Sequence, residues 1–179
     1  GTSNCGSRIV YGQGKYLSAA TLSGGNEIFS SLDGLTWNLI YTSTISTINM
    51  VAYGAGIFVA VGTGGKYATS SDGGATRTEG TQGSVAWNSV VYGAGKFVMV
   101  PSGSNIAAYS ATGISWTNCT MPASTGWGGI TYGNRRFVAF SNSGSVPVAT
   151  SADGITWAAS SAYIYSVVSP IYGYDRFIF

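Results

Sequence analysis

Two landmarks recur together about every 40 residues, and nothing else in the chain restricts its fold as tightly. A Tyr-Gly pair stands at Tyr11-Gly12, Tyr53-Gly54, Tyr92-Gly93, Tyr132-Gly133 and Tyr172-Gly173, with spacings of 42, 39, 40 and 40. A second string follows the first four pairs. It reads Ser31-Leu32-Asp33-Gly34-Leu35-Thr36-Trp37, Ser70-Ser71-Asp72-Gly73-Gly74-Ala75-Thr76-Arg77, Ser110-Ala111-Thr112-Gly113-Ile114-Ser115-Trp116 and Ser151-Ala152-Asp153-Gly154-Ile155-Thr156-Trp157. Two independent strings held at one period are not an accident of composition. The chain is an array of one supersecondary unit, with four full copies and a partial fifth.

Each copy reads as β. Ile57-Phe58-Val59-Ala60-Val61, Lys96-Phe97-Val98-Met99-Val100 and Arg136-Phe137-Val138-Ala139-Phe140 are short β-branched and aromatic runs bounded by Gly or Ser. No stretch holds a 3.6-residue period between caps. Strand A ends at Tyr-Gly and strand B is the Phe-Val run. Strand C leads into the Ser-x-Asp-Gly turn, and strand D starts at Thr-Trp. The A–B links Gly54-Ala55-Gly56 and Gly93-Ala94-Gly95 suit a hairpin with positive φ. Four antiparallel strands in about 40 residues is the size of a β-propeller blade, whose faces are hidden only by stacked neighbours. The expected fold is therefore an all-β propeller of four-stranded antiparallel blades. Residues 1–8 are a lead-in and 9–179 one domain, with blades near 9–47, 48–86, 87–126 and 127–166 and a partial fifth at 167–179.

Composition narrows the chemistry. The chain has no His, which removes His-based acid–base catalysis, Ser/His/Asp and Cys/His triads and His-containing metal sites. Charged residues are 8 % and the net charge is +2, too little for a nucleic-acid footprint. No apolar run reaches the ~20 residues of a membrane-spanning helix. No metal or cofactor is expected. Cys5 and Cys119 form no C-x-x-C pair, and two separate thiols are the default. Asn118-Cys119-Thr120 fits a glycosylation acceptor, a tripeptide common by chance. Lys66 and Arg77 read as isolated, solvated charges.

The string Ser-x-Asp-(x)-Gly-x-Thr-Trp, once per unit, resembles the Asp-box (BNR) repeat of sialidase-like propellers. Units one and four match well. Unit two has Arg77 at the Trp position and an extra Gly; unit three has Thr112 for Asp and Ser115 for Thr. The resemblance implies a structural turn in which Ser31, Asp33, Trp37, Ser70, Asp72, Ser110, Trp116, Ser151, Asp153 and Trp157 have no catalytic part. In that turn the Asp accepts backbone N–H groups and the Trp packs between blades. Sialidases of this fold use an Arg triad, a Tyr–Glu pair and an Asp acid. Here there are five Arg and only Glu27 and Glu79 as glutamates, with no matching constellation, so no enzyme is expected.

Antiparallel connectivity sorts the links between strands. A–B and C–D turns share one end and repeat from unit to unit. B–C links (Ala20–Asn26, Gly62–Gly65, Pro101–Asn105, Ser141–Ser145) and D–A links (Thr42–Thr47, Gly80–Ser84, Thr120–Gly126, Ser160–Tyr165) share the other end and differ. Function favours individual loops on a uniform scaffold, so this polar, neutral face is the expected recognition surface. Trp87 and Trp127 stand five residues before the repeat Tyr in their units. Either they start strand A and pack near the central channel, or they form an aromatic shelf for a sugar, with Tyr163, Tyr165, Asn105 and Asn142 beside them.

The two ends of the array duplicate rather than complement one another. This raises the expectation of a longer chain, a homo-oligomer or a neighbouring chain covering the last strand. The Gly/Ser/Thr/Tyr-rich, charge-poor repeat is similar to propeller segments of phage tail fibres and cell-surface adhesins. The expected function is a virion or cell-surface attachment module for a surface glycan or protein receptor. A sialidase-like hydrolase fragment and a purely structural propeller are the alternatives.

Overall fold

The computed structural model describes residues 8–20, 26–141, 148–160, 171–173 and 176–178. The described residues form β-strands joined by turns, with one short 3-10 turn at Thr63–Gly65. Among them no helix is long and apolar enough to cross a membrane.

Unit one is a four-stranded meander of β1 (Arg8–Gly12), β2 (Lys15–Ala20), β3 (Glu27–Ser31) and β4 (Asn38–Thr42). Unit two repeats it with β5 (Ile48–Gly54), β6 (Ile57–Gly62), β7 (Lys66–Ser70) and β8 (Thr78–Thr81). Unit three opens with β9 (Trp87–Gly93) and continues into β10 (Lys96–Ser110), which serves as both B and C strand. The next strand, β11 (Thr117–Gly133), is the D strand of unit three and the A strand of unit four. Then follow β12 (Arg136–Ser141), β13 (Val148–Ser151) and β14 (Ala158–Ser160), and a fifth-unit hairpin of β15 (Ile171–Gly173) and β16 (Arg176–Ile178). All pairings are antiparallel, in the A-B-C-D order expected.

Two sequence expectations change. Strand D does not start at Thr-Trp: Thr36 and Trp37 stay in the turn, because Asp33 captures the Thr36 N–H that a strand would need. The links at Pro101–Asn105 and Thr120–Gly126 are not loops. They run side by side as a ribbon, pairing Ser102 with Gly126 and Ser104 with Thr125, and this fuses units three and four into one six-stranded sheet.

The A–B turns need left-handed backbone at both central residues. Ala55 and Gly56 have φ of 48° and 78°, and Ala94 and Gly95 have 46° and 76°, as type I′ hairpins require. Unit four makes the same turn with Asn134 and Arg135 at 44° and 56°, without a glycine.

The core lies between units. Leu17, Ala19 and Ile28 of unit one pack with Val51, Phe58 and Ala60 of unit two. Val59, Val61 and Tyr67 pack with Trp87, Val90 and Phe97, and Val98, Val100 and Ala107 with Trp127, Ile130 and Phe137. A single unit exposes two apolar faces, so burial is available only by stacking. The A strands stand side by side: the Asn49 and Asn88 amides donate to the Trp87 and Trp127 carbonyls of the following unit, both at 2.9 Å.

Candidate functional site

The Ser-x-Asp-Gly turns recur at one end, and their Ser and Asp side chains bond within the turn. In unit one the Ser31 hydroxyl donates to Asp33 (2.9 Å), the Leu35 and Thr36 N–H groups donate to the same carboxylate (2.8 Å each), and Gly34 N–H donates to Ser31 (2.8 Å). Ser151 and Asp153 repeat the pattern with Gly154, Ile155 and Thr156. Asp72 takes both the N–H and the hydroxyl of Thr76. Thr112 does the same work more weakly, its hydroxyl accepting from Ile114 and Ser115 at 3.3 and 3.4 Å. Hydrogen bonds to the charged form stabilise it. Thr36 and Leu35 hold Asp33 at about 2, Thr76 holds Asp72 at about 2, and Thr156 and Ile155 hold Asp153 at about 2. These carboxylates are committed acceptors within their own turns. The Trp37 and Trp116 indoles donate back to Gly34 and Gly113, and Trp116 also packs on Tyr67 of the preceding unit, 5.7 Å between centroids.

The opposite end is individual. Gln82, Gly83, Ser84 and Val85 of the link into unit three meet Ser104, Ile106 and Asn118 around a pocket of about 190 Å³, with Trp87 in its wall. The pocket is held from behind. Gln82 N–H donates to the Gly65 carbonyl (2.7 Å), Ser102 N–H to the Ala86 carbonyl (2.8 Å), and the Trp87 indole to the Gln82 carbonyl (3.1 Å). Gly65 has φ of 70°, and a Cβ there would meet the Gly83 carbonyl oxygen at 2.2 Å, so the two segments touch only because residue 65 is glycine. In front, the Gln82 amide donates to Asn118 Oδ1 at 2.7 Å. The lining residues carry no formal charge. They offer two amides, two hydroxyls and the apolar flanks of Val85 and Ile106, a set suited to neutral polar groups.

The tryptophans are not a shelf. Trp87 is 1 % and Trp127 0 % exposed, each indole donating to a backbone carbonyl, Gln82 or Ala123. Neither ring has a free face for a sugar, because each packs in the seam between two units, Trp87 at the start of β9 and Trp127 within β11. Asn105 is half-buried at a bulge between Ser104 and Ile106 and is not part of the pocket wall. Asn142, Tyr163 and Tyr165 lie outside the described residues, as does Cys5. Cys119 is a buried free thiol, pushed up to about 11 by that burial.

A second polar centre escaped the sequence reading. Tyr41, Ser43 and Thr44 of unit one donate to Glu79 of unit two, the Ser43 contact at 2.6 Å. Burial alone would raise Glu79, but these donors outweigh it and hold the group at about 2. Arg77 is not isolated: its guanidinium lies 3.6 Å from the Tyr41 ring centroid. Nor is Lys66, whose ammonium donates to the Thr44 carbonyl at 3.0 Å. The only hint was Arg77 replacing the repeat Trp, and nothing local in the sequence places Tyr41 beneath it. Among the described residues no three His, Cys, Asp or Glu come together as a metal site.

No protein-family profile and no curated protein matches the chain. Solved structures do. Virginiamycin B lyase from Staphylococcus aureus, an inactive H270A form with quinupristin, aligns at a TM-score of 0.74 and 14 % identity over 90 % of this chain and 58 % of that one. A nidogen/laminin complex aligns at 0.69 and 10 % over 95 % and 69 %. YCF48 bound to a D1 peptide aligns at 0.57 and 18 % over 83 % and 50 %, so this chain spans about half of YCF48. At such identities the likeness concerns fold alone, and the fold shared is the β-propeller.

Proposed function

We propose that this chain is a non-catalytic recognition module of the attachment type found on virions, such as phage tail fibres, and on cell surfaces. It would engage a neutral surface glycan or a protein receptor through its individual face. The observation that carries this reading is the uncharged pocket of Gln82, Ser84, Ser104, Ile106 and Asn118, built from segments that do not repeat between units. Preorganised loops on a rigid scaffold lose little entropy on binding. Nidogen with laminin and YCF48 with a D1 peptide are similar folds seen with protein partners, which favours a receptor alongside a glycan. The carboxylates of the repeat turns are already hydrogen-bonded and leave no free acid–base pair there.

The test is a glycan array and a host-surface binding assay, run with the wild type and with Gln82→Ala/Asn118→Ala. Binding that falls roughly tenfold or more in the variant, at unchanged melting temperature, supports the site. Equal binding by both proteins overturns it. Turnover of any sialoside above the no-protein blank overturns the non-catalytic reading.

A further inference from the structure

The repeat departs from itself twice, and both departures meet in one place. Where units one, three and four carry Trp37, Trp116 and Trp157, unit two carries Arg77. Where units one, two and four carry Asp33, Asp72 and Asp153, unit three carries Thr112. Arg77 and Thr112 line the same pocket of about 260 Å³, between the turn of unit two and the turn of unit three. It lies at the repeating end of the blades, opposite the pocket of Gln82 and Asn118. The corresponding pairs in the neighbouring turns are Trp37 with Asp72 and Trp116 with Asp153, an indole with a carboxylate. Here the pair is a guanidinium with a hydroxyl. One cation is gained and one anion is lost, so both departures shift the charge in the same direction.

The walls are pinned. The Gln13 amide donates to the Ser71 carbonyl (2.8 Å) and the Gly56 carbonyl (2.9 Å), which holds the rim of unit two. The Tyr67 hydroxyl donates to the Ile114 carbonyl at 2.7 Å. A Cβ on Gly113 would meet Val59 Cγ2 at 2.8 Å, so the turn of unit three is seated directly on unit two. Among the described residues Arg77 is the one charged group in the lining. The acids on either side of it in sequence are committed elsewhere. Asp72 accepts from Ser70 and Thr76, Glu79 accepts from Tyr41, Ser43 and Thr44, and neither lines the pocket. The Arg77 guanidinium stacks 3.6 Å from the Tyr41 ring centroid. Stacking occupies a face, whereas the N–H donors lie in the plane as a fork. The Thr112 hydroxyl accepts from Ile114 and Ser115 and keeps its own proton to donate.

We infer that this pocket binds a carboxylate. A planar monoanion matches the fork of one guanidinium. A phosphate dianion calls for more positive charge than Arg77 supplies. Ile57 and Ile114 give the carbon chain behind the carboxylate two apolar flanks. This inference does not depend on what the individual face binds.

An NMR titration of the isotope-labelled chain with sodium acetate at neutral pH tests it, with acetamide as the uncharged isostere. Acetate should move the Arg77 side-chain and Thr112 backbone signals along saturable curves, and acetamide should not. Arg77→Gln should weaken acetate binding roughly tenfold or more. Thr112→Asp restores the carboxylate of the repeat and should weaken it as much, by like-charge repulsion. Should Arg77→Gln fold poorly, Thr112→Asp decides, because that change strengthens its own turn. Gln82→Ala/Asn118→Ala should bind acetate as the wild type does, which separates this site from the recognition pocket. A parallel titration with capped glutamate identifies the carrier: tighter binding than acetate assigns an acidic side chain, and weaker binding a free organic acid. No saturable shift with acetate, an equal response to acetamide, or unchanged affinity in either folded variant overturns the inference.

Discussion

Gly93→Ala isolates the seam that holds the blades together. Gly93 ends β9 with backbone outside the left-handed region, so alanine costs nothing there conformationally. In an open site it would stabilise by about 0.5–1 kcal/mol, by restricting the unfolded chain. Here its Cβ would lie 2.2, 2.5 and 2.6 Å from three atoms of the Tyr132 ring. Ordinary contact lies near 3.5–4 Å, so the ring must retreat by more than an ångström. Tyr132 cannot do so freely, because it rests on Phe137 with centroids 4.6 Å apart. Overpacking of this kind costs about 1–3 kcal/mol, leaving a net loss of roughly 0.5–2 kcal/mol once the chain-entropy gain is subtracted. Urea unfolding followed by tryptophan fluorescence reads this as a midpoint lower by about 0.3–1 M at a slope near 2 kcal/mol/M. The control is the same change in a Tyr132→Ala background, where the obstacle is gone. There Gly93→Ala should be neutral or stabilising, a coupling of about 1–3 kcal/mol. An equal shift in both backgrounds would show that the penalty sits in the strand and not in the tyrosine socket, and would refute the reasoning.

Four further outcomes follow from particular contacts. Arg135→Gly should raise stability by about 1 kcal/mol in the same assay, because Arg135 holds φ of 56° where units one to three use Gly14, Gly56 and Gly95. Thr112→Asp should raise the urea midpoint at neutral pH by replacing acceptance at 3.3 and 3.4 Å with the charged contacts made by Asp33. Stability should be flat between about pH 5 and 8 in a chain without His, then fall below the ordinary carboxylate range near 4. Asp33, Asp72, Asp153 and Glu79 sit at about 2 when folded, so their stabilisation is present above the unfolded value and lost as pH drops towards 2; a melting temperature that rises from pH 5 to 3 contradicts this. Trp127→Ala should cost about 3–5 kcal/mol and show itself in thermal unfolding, because the ring is wholly buried.

The periodic strings announced the unit, its four strands and their order, because each depends on local patterns: an apolar run, a glycine turn, a Ser-x-Asp-Gly loop. Those interactions span a few residues and survive intact from sequence to structure, down to the Asp33 carboxylate and the Ala55-Gly56 hairpin. The polar character of the individual end was legible for the same reason, since composition does not depend on register, but the meeting of Glu79 and Lys66 at Thr44 of one of its links was not.

What escaped was set by neighbours about 40 residues away. Trp87 and Trp127 fit both a core and a sugar shelf by residue type, and only stacking of the next blade decides that their faces are covered. Arg77 and Lys66 are solitary charges in the sequence, and unit one brings Tyr41 and Thr44 against them. The repeated Tyr-Gly pair was visible as a word, but its meaning was not. The glycine of one unit and the tyrosine of the next form a joint across a gap that no local rule bridges. Sequence by itself determined what each blade is. Tertiary structure decided what each blade does to its neighbour, because a face that is apolar in one unit becomes core, pocket wall or open surface according to what packs on it.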